Sequence, residues 1–141
     1  MSNNILCAVD LAHPKISRKI LSEAARMADQ GATINVITVI PDYGMSIVGS
    51  YFEEGMMDKA IKSSNEALHG FVSENLTADV KLRHIVATGS AYEEVLNAAT
   101  EVKADLIVIG ASKPDLKDYL LGPNASRVAR HAEVSVYIIR Q

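Results

Sequence analysis

Asp105-Leu-Ile-Val-Ile-Gly110, followed after a loop by Gly122-Pro-Asn-Ala-Ser-Arg-Val-Ala-Arg-His131, decides the fold. The apolar run reads as a buried strand, and the second segment as a short helix opened by glycine. A strand ending in glycine, then a loop, then a glycine at a helix start, is how α/β proteins present backbone N–H groups to phosphate. Glycine lacks a Cβ and so permits close approach. The helix start adds unpaired donors and a partial positive charge. This stretch predicts a small nucleotide-binding domain.

Working outward, Ile5-Leu-Cys-Ala-Val9 is a first apolar strand ending at Asp10. Pro14 opens a helix with Ile16, Ile20, Ala24, Met27 and Ala28 on one stripe, and Gly31 is expected to stop it. Ala32 to Ile40 reads as a second strand ended by Pro41. Residues 41 to 52 read as a loop, and a longer helix is expected from Glu53 to about Asn75. Asp79 to Val86 is a third strand. Ser90-Ala-Tyr-Glu93 has the form of a capping box for the helix that follows. Leu106 to Ile109 and Val134 to Ile139 complete five strands. The alternation βαβαβαβαβ predicts an α/β three-layer sandwich, a five-stranded parallel sheet in the order 3-2-1-4-5. One domain fills residues 1–141.

The bulk composition agrees. A chain of 141 residues has the size of one domain and can bury roughly 68–70% of its extended surface. A net charge of −3 gives no general attraction to nucleic acid or acidic membranes. No apolar stretch approaches the roughly 18 residues that span a bilayer. Met-Ser-Asn-Asn leads straight into a strand without a signal-peptide pattern, so a cytoplasmic location is expected. The single cysteine, Cys7, sits in an apolar run and reads as an inert buried thiol. The four histidines show no metal-ligand spacing.

In a doubly wound sheet, ligands sit where the strand order reverses, here between the first and fourth strands. Those strands end at Asp10 and Gly110. Asp10 can accept bonds from ribose hydroxyls, and backbone near Val39 can pair with an adenine edge. Phosphates can lie over the 110–113 turn and the helix start at Asn124 and Ala125, with Lys113 lending charge. Each feature has a plainer reading: Asp10 as a loop cap, Gly110 and Gly122 as turn glycines, Lys113 as a solvated surface charge.

Lys113-Pro-Asp-Leu-Lys-Asp-Tyr-Leu-Leu-Gly122-Pro-Asn, with Val128-Ala-Arg-His-Ala-Glu-Val-Ser-Val, resembles the universal stress protein family. The likeness spans the whole chain. It is greatest to the F/G-type branch, in which Ala-Ser-His-Arg-Pro-Asp precedes Tyr-Leu-Leu-Gly-Ser-Asn. The resemblance implies a homodimer, a tetramer in some members, and ATP at the crevice in many. It implies a nucleotide site built from Ala8, Asp10, Val39, Gly89, Gly110, Ser112, Lys113, Gly122, Pro123, Asn124 and Ala125. Three departures stand out. Lys113 replaces the second glycine of the common ATP-binding form, and Ser112 stands where the F/G branch often has histidine. Pro123 stands where the family places a phosphate-binding serine, and proline offers neither hydroxyl nor N–H.

The functional expectation is a stress-response or signalling module binding ATP, ADP or AMP. Asp115 and Asp118 are the loop carboxylates available to an accompanying Mg²⁺, and their plainer reading is as solvated loop positions. The alternatives are a nucleotide-independent dimeric interaction protein of the same fold and a slow ATPase. No nucleophile–base pairing marks a catalytic centre. The sequence lacks Gly-x-x-x-x-Gly-Lys, and no Gly-x-Gly-x-x-Gly follows the first strand. The apolar strand Val134 to Ile139 is expected at a sheet edge, where it would pair with a second copy.

Overall fold

Residues buried on both faces form the centre of the sheet, and amphipathic residues form its margins. The structure is a computed structural model that describes residues 2–41, 56–77, 79–111 and 122–140. The elements are β1 (Ser2–Ala8), α1 (Pro14–Met27), β2 (Ala28–Pro41), α2 (Met56–Asn75), β3 (Lys81–Gly89), α3 (Ala91–Val102), β4 (Leu106–Gly110), α4 (Gly122–His131) and β5 (Ser135–Ile139). The strands pair in parallel in the order β3-β2-β1-β4-β5. The helices lie in two layers, α1 packing with α2 and α3 with α4. A single handedness of crossover requires this, because the chain moves outward to β3 and then returns past β1. The predicted three-layer α/β sandwich and its strand order are therefore observed.

Ile5 to Val9 and Leu106 to Ile109 are buried throughout. Such continuous apolar runs suit parallel strands covered on both faces. The margin differs: on β3, Lys81, Leu82 and Arg83 are exposed. Ile16, Ile20, Leu21 and Ala24 carry α1 onto the sheet. Among the described residues three polar ones, Ser17, Asn35 and Thr38, are buried with them. Asn35, 1% exposed, donates to Asn4 Oδ1 at 2.7 Å and to the Ile5 carbonyl at 2.9 Å. Asn4 in turn donates to the carbonyls of Val102 and Lys103 at the end of α3. Ser17 on α1 bonds the backbone of Asp10, donating to its carbonyl at 2.9 Å and accepting from its N–H at 3.0 Å.

Several boundaries differ from expectation. Gly31 does not stop α1, which ends at Met27 with Ala28 already extended. Instead Gly31, at φ +78°, lies in an irregularity of β2, where the register jumps from Ser2↔Ala28 to Asn4↔Thr33. A bulge, not a helix end, uses its left-handed backbone. The third strand begins at Lys81 and continues to Gly89, past the expected Val86, because Ala87, Thr88 and Gly89 still find partners in Val39, Ile40 and Pro41. Ser90 is the N-cap of α3 but makes no side-chain cap bond. The capping box is absent. The Tyr92 N–H is satisfied from another helix, by Asn124 Oδ1 at 3.2 Å. Residues 42–52 of the expected loop and Glu53 to Gly55 of the second helix lie outside the described residues.

Candidate functional site

The sheet order turns at β1 and β4, where Cys7 pairs with Val108. Asp10 and Gly110 therefore leave the sheet from adjoining strand ends, although they are a hundred residues apart in sequence. β2 runs further, to Pro41. The Val9 N–H donates to the Ile37 carbonyl at 2.9 Å, so Ile37 turns its backbone groups toward β1. Alternation gives Val39 the same direction, at a level where β1 has ended. Ala8, Asp10, Val39 and Gly110 thus border one notch at the carboxyl end of the sheet. Ala8 and the Val39 side chain are buried there, at 1% and 5% exposure.

Asp10 is held closely. Its carbonyl accepts from the His13 N–H at 2.9 Å, closing a turn. Its Oδ1 accepts from the Ala12 N–H at 2.9 Å. Its Oδ2 lies 3.8 Å from His13 Nε2. The carboxylate therefore does cap its own loop. His13 and Ser17 were not singled out by sequence reasoning. The available signal for Ser17 was a hydroxyl beside the apolar stripe of α1.

Gly110 has a packing reason to be glycine, whatever lies over its backbone. A Cβ built there meets Ile16 Cδ1 at 2.7 Å and Ile20 Cδ1 at 3.2 Å. The missing side chain admits α1 against β4. The next N–H, of Ala111, donates to the Ile139 carbonyl at 2.8 Å. Gly89, at φ +130°, takes a backbone conformation that L side chains rarely adopt, and a Cβ there would lie 3.2 Å from Glu94 Oε1. This glycine ends β3 and starts the turn into α3.

The expected helix at Gly122 forms and includes Pro123 in its first turn, where its missing N–H interrupts no helical bond. Asn124 spans from this helix to Tyr92. Arg127 lies over the Tyr92 ring at 5.1 Å, so the origins of α3 and α4 are joined by two contacts. Ala125 is buried. Ser112 and Lys113 lie outside the described residues, as do Asp115 and Asp118. Among the described residues, no group of three or more His, Cys, Asp or Glu could hold a metal ion. No described helix is long and apolar enough to cross a membrane. Two shallow depressions, of about 320 and 370 Å³, lie along α3 and are lined by other residues than the notch.

The model of the universal stress protein family matches residues 1–140. Universal stress protein G of Escherichia coli O157:H7 is 30% identical over 146 aligned positions, covering 99% of this chain and all of that protein. Among solved structures, hypothetical protein MJ0577 superposes with a TM-score of 0.80 at 19% identity, covering 99% of this chain and 96% of that one. A universal stress protein in complex with cAMP gives 0.56 at 21% identity, covering 99% and 97%. The universal stress protein from Archaeoglobus fulgidus in complex with dAMP gives 0.54 at 20% identity, covering 96% of each chain.

Proposed function

The chain belongs to the universal stress protein family, and from that premise we propose that it is an adenine-nucleotide-binding module of stress response or signalling. The nucleotide lies at the β1/β4 notch. Asp10 takes the ribose, the Val39 backbone takes the adenine edge, and the phosphates lie over Gly110, Ser112, Lys113 and the first turn of α4 from Gly122 to Ala125. Ala8 and Gly89 complete the walls. Asp115 and Asp118, which lie outside the described residues, would be the loop carboxylates to hold a Mg²⁺ accompanying the phosphates. The observation that supports this reading is the meeting of Asp10 and Gly110 at adjoining strand ends where the sheet order reverses. Universal stress proteins of the same fold that carry cAMP or dAMP add to it.

Isothermal titration with ATP, ADP and AMP tests the proposal. Asp10→Ala and Gly122→Val each weaken binding. Pro123→Ser restores an N–H and a hydroxyl at the phosphate end. One bond to a charged group contributes about 1.5–3 kcal/mol, so Pro123→Ser tightens binding roughly tenfold or more. Equal affinity in the parent and Pro123→Ser removes phosphate from the first turn of α4.

Pro123 also favours a second reading, a dimeric interaction protein that keeps the fold without nucleotide. Absence of heat with all three nucleotides at millimolar concentration selects it. In both readings β5 is the dimer edge.

A further inference from the structure

The first turn of α3 grows out of the end of β3. Gly89 still pairs in register with Pro41 of β2, and the Glu94 N–H closes the first helical bond onto the Ser90 carbonyl at 3.0 Å. This turn is therefore built onto the paired ends of β2 and β3, where β2 carries Val39. The Tyr92 N–H is one of the donors that a helix start leaves without an intrahelical partner. Ser90 makes no side-chain cap bond, and Asn124 Oδ1 of α4 accepts from Tyr92 at 3.2 Å. Asn124 and Arg127 are three residues apart and so share a face of α4. The Arg127 guanidinium lies over the Tyr92 ring, 5.1 Å from its centre. One residue of α3 thus takes two contacts from the start of α4, one on its backbone and one on its ring. The Tyr92 hydroxyl is turned elsewhere, to the neighbouring Glu93 Oε1 at 3.1 Å.

Ala125 and Val128 bury α4 against the core. Apolar packing of this kind has no direction. The hydrogen bond to Tyr92 does have one, and it fixes the helix along its axis. We infer that Tyr92 is a positioning residue: it joins the phosphate end of the nucleotide site, at the first turn of α4, to the adenine side, at the ends of β2 and β3. The inference rests on the nucleotide reading above. A helix start that is in place only part of the time binds phosphate more weakly by that fraction. Adenosine carries no phosphate and does not draw on the joint.

Calorimetry with ATP and with adenosine tests the assignment. In Tyr92→Leu the affinity for ATP falls about two- to fivefold, the weight of one exposed cation–π contact, and the affinity for adenosine keeps the parent value. Tyr92→Phe keeps the ring and both affinities. A tyrosine that only stabilised the fold would move both ligands together or neither, and either result overturns the assignment. Coupling is reciprocal, so in the parent ATP slows hydrogen exchange at the Tyr92 amide and adenosine does not. This second readout needs no variant, and equal exchange with the two ligands overturns the assignment alone. A parent that binds ATP no better than adenosine overturns the phosphate placement and this assignment with it. A parent that binds neither overturns the whole nucleotide reading.

Discussion

A Cβ on Gly110 cannot be placed without moving Ile16, whose Cδ1 lies 2.7 Å from the ideal position. Overpacking of this kind costs about 1–3 kcal/mol. Gly110→Ala therefore lowers the urea midpoint, and Ile16→Val in the same chain, which deletes that Cδ1, recovers most of the loss. Equal midpoints in parent and Gly110→Ala contradict the packing account. Cys7 carries a second test at this scale. Burial pushes its thiol from 9.0 up to about 12, so the folded chain keeps a proton that the unfolded chain gives up. The stabilisation is complete below pH 9 and is lost as pH rises toward 12, at up to about 1.4 kcal/mol per unit. Denaturant unfolding across pH 9 to 11 shows this slope in the parent and a shallower one in Cys7→Ala. Alkylating reagents leave the native thiol unmodified at pH 8.

Between elements, the joint of α2 and β3 holds a stacked pair of rings, His69 and His84, with centroids 3.6 Å apart. Burial first and the His69 charge second lower the His84 pKa from 6.5. The unfolded chain then takes up the proton more readily, so stability is held above pH 6.5 and declines as pH falls through it. Thermal unfolding between pH 7.5 and 5.5 shows the decline, and His84→Gln reduces it. An unchanged pH slope in that variant removes the pair from the balance. The start of α3 shows where local sequence misleads. Ser90 and Glu93 fit the capping pattern, yet Ser90 makes no side-chain cap bond, and the Tyr92 N–H of the same first turn is met by Asn124 from α4. A contact that far along the chain leaves no mark in a window of four residues.

For the whole molecule, the strand order and layers were legible because β1 and β4 are continuous apolar runs and the helices are periodic. The location of the notch followed from that order. The ends of the strands were less legible, since Ala87 to Gly89 join the sheet through partners on β2, and Gly31 serves a bulge. The constraint on Gly110 was hidden because glycine presents the same letter whether a phosphate or Ile16 fills its space. Edges also belong to this scale. The exposed part of β3 carries Lys81 and Arg83, charges that discourage strand pairing. β5, Ser-Val-Tyr-Ile-Ile, carries none. The Ile139 carbonyl turns toward β4, so by alternation Val136 and Ile138 turn their backbone groups outward. Sedimentation at micromolar concentration is expected to give a two-fold dimer, and Val136→Lys a monomer. A monomeric parent rejects β5 as the interface.

The Asn35 amide, lodged between β2 and β1 and linked through Asn4 to the end of α3, discriminates among chain pairings during folding. Sliding β2 by one residue would leave that amide stranded in hydrocarbon, a penalty of about 1–3 kcal/mol for each unmet group. Valine at this position would fit every pairing equally well. The asparagine therefore acts as a proofreader of assembly, rejecting mispaired intermediates that its apolar neighbours would accept.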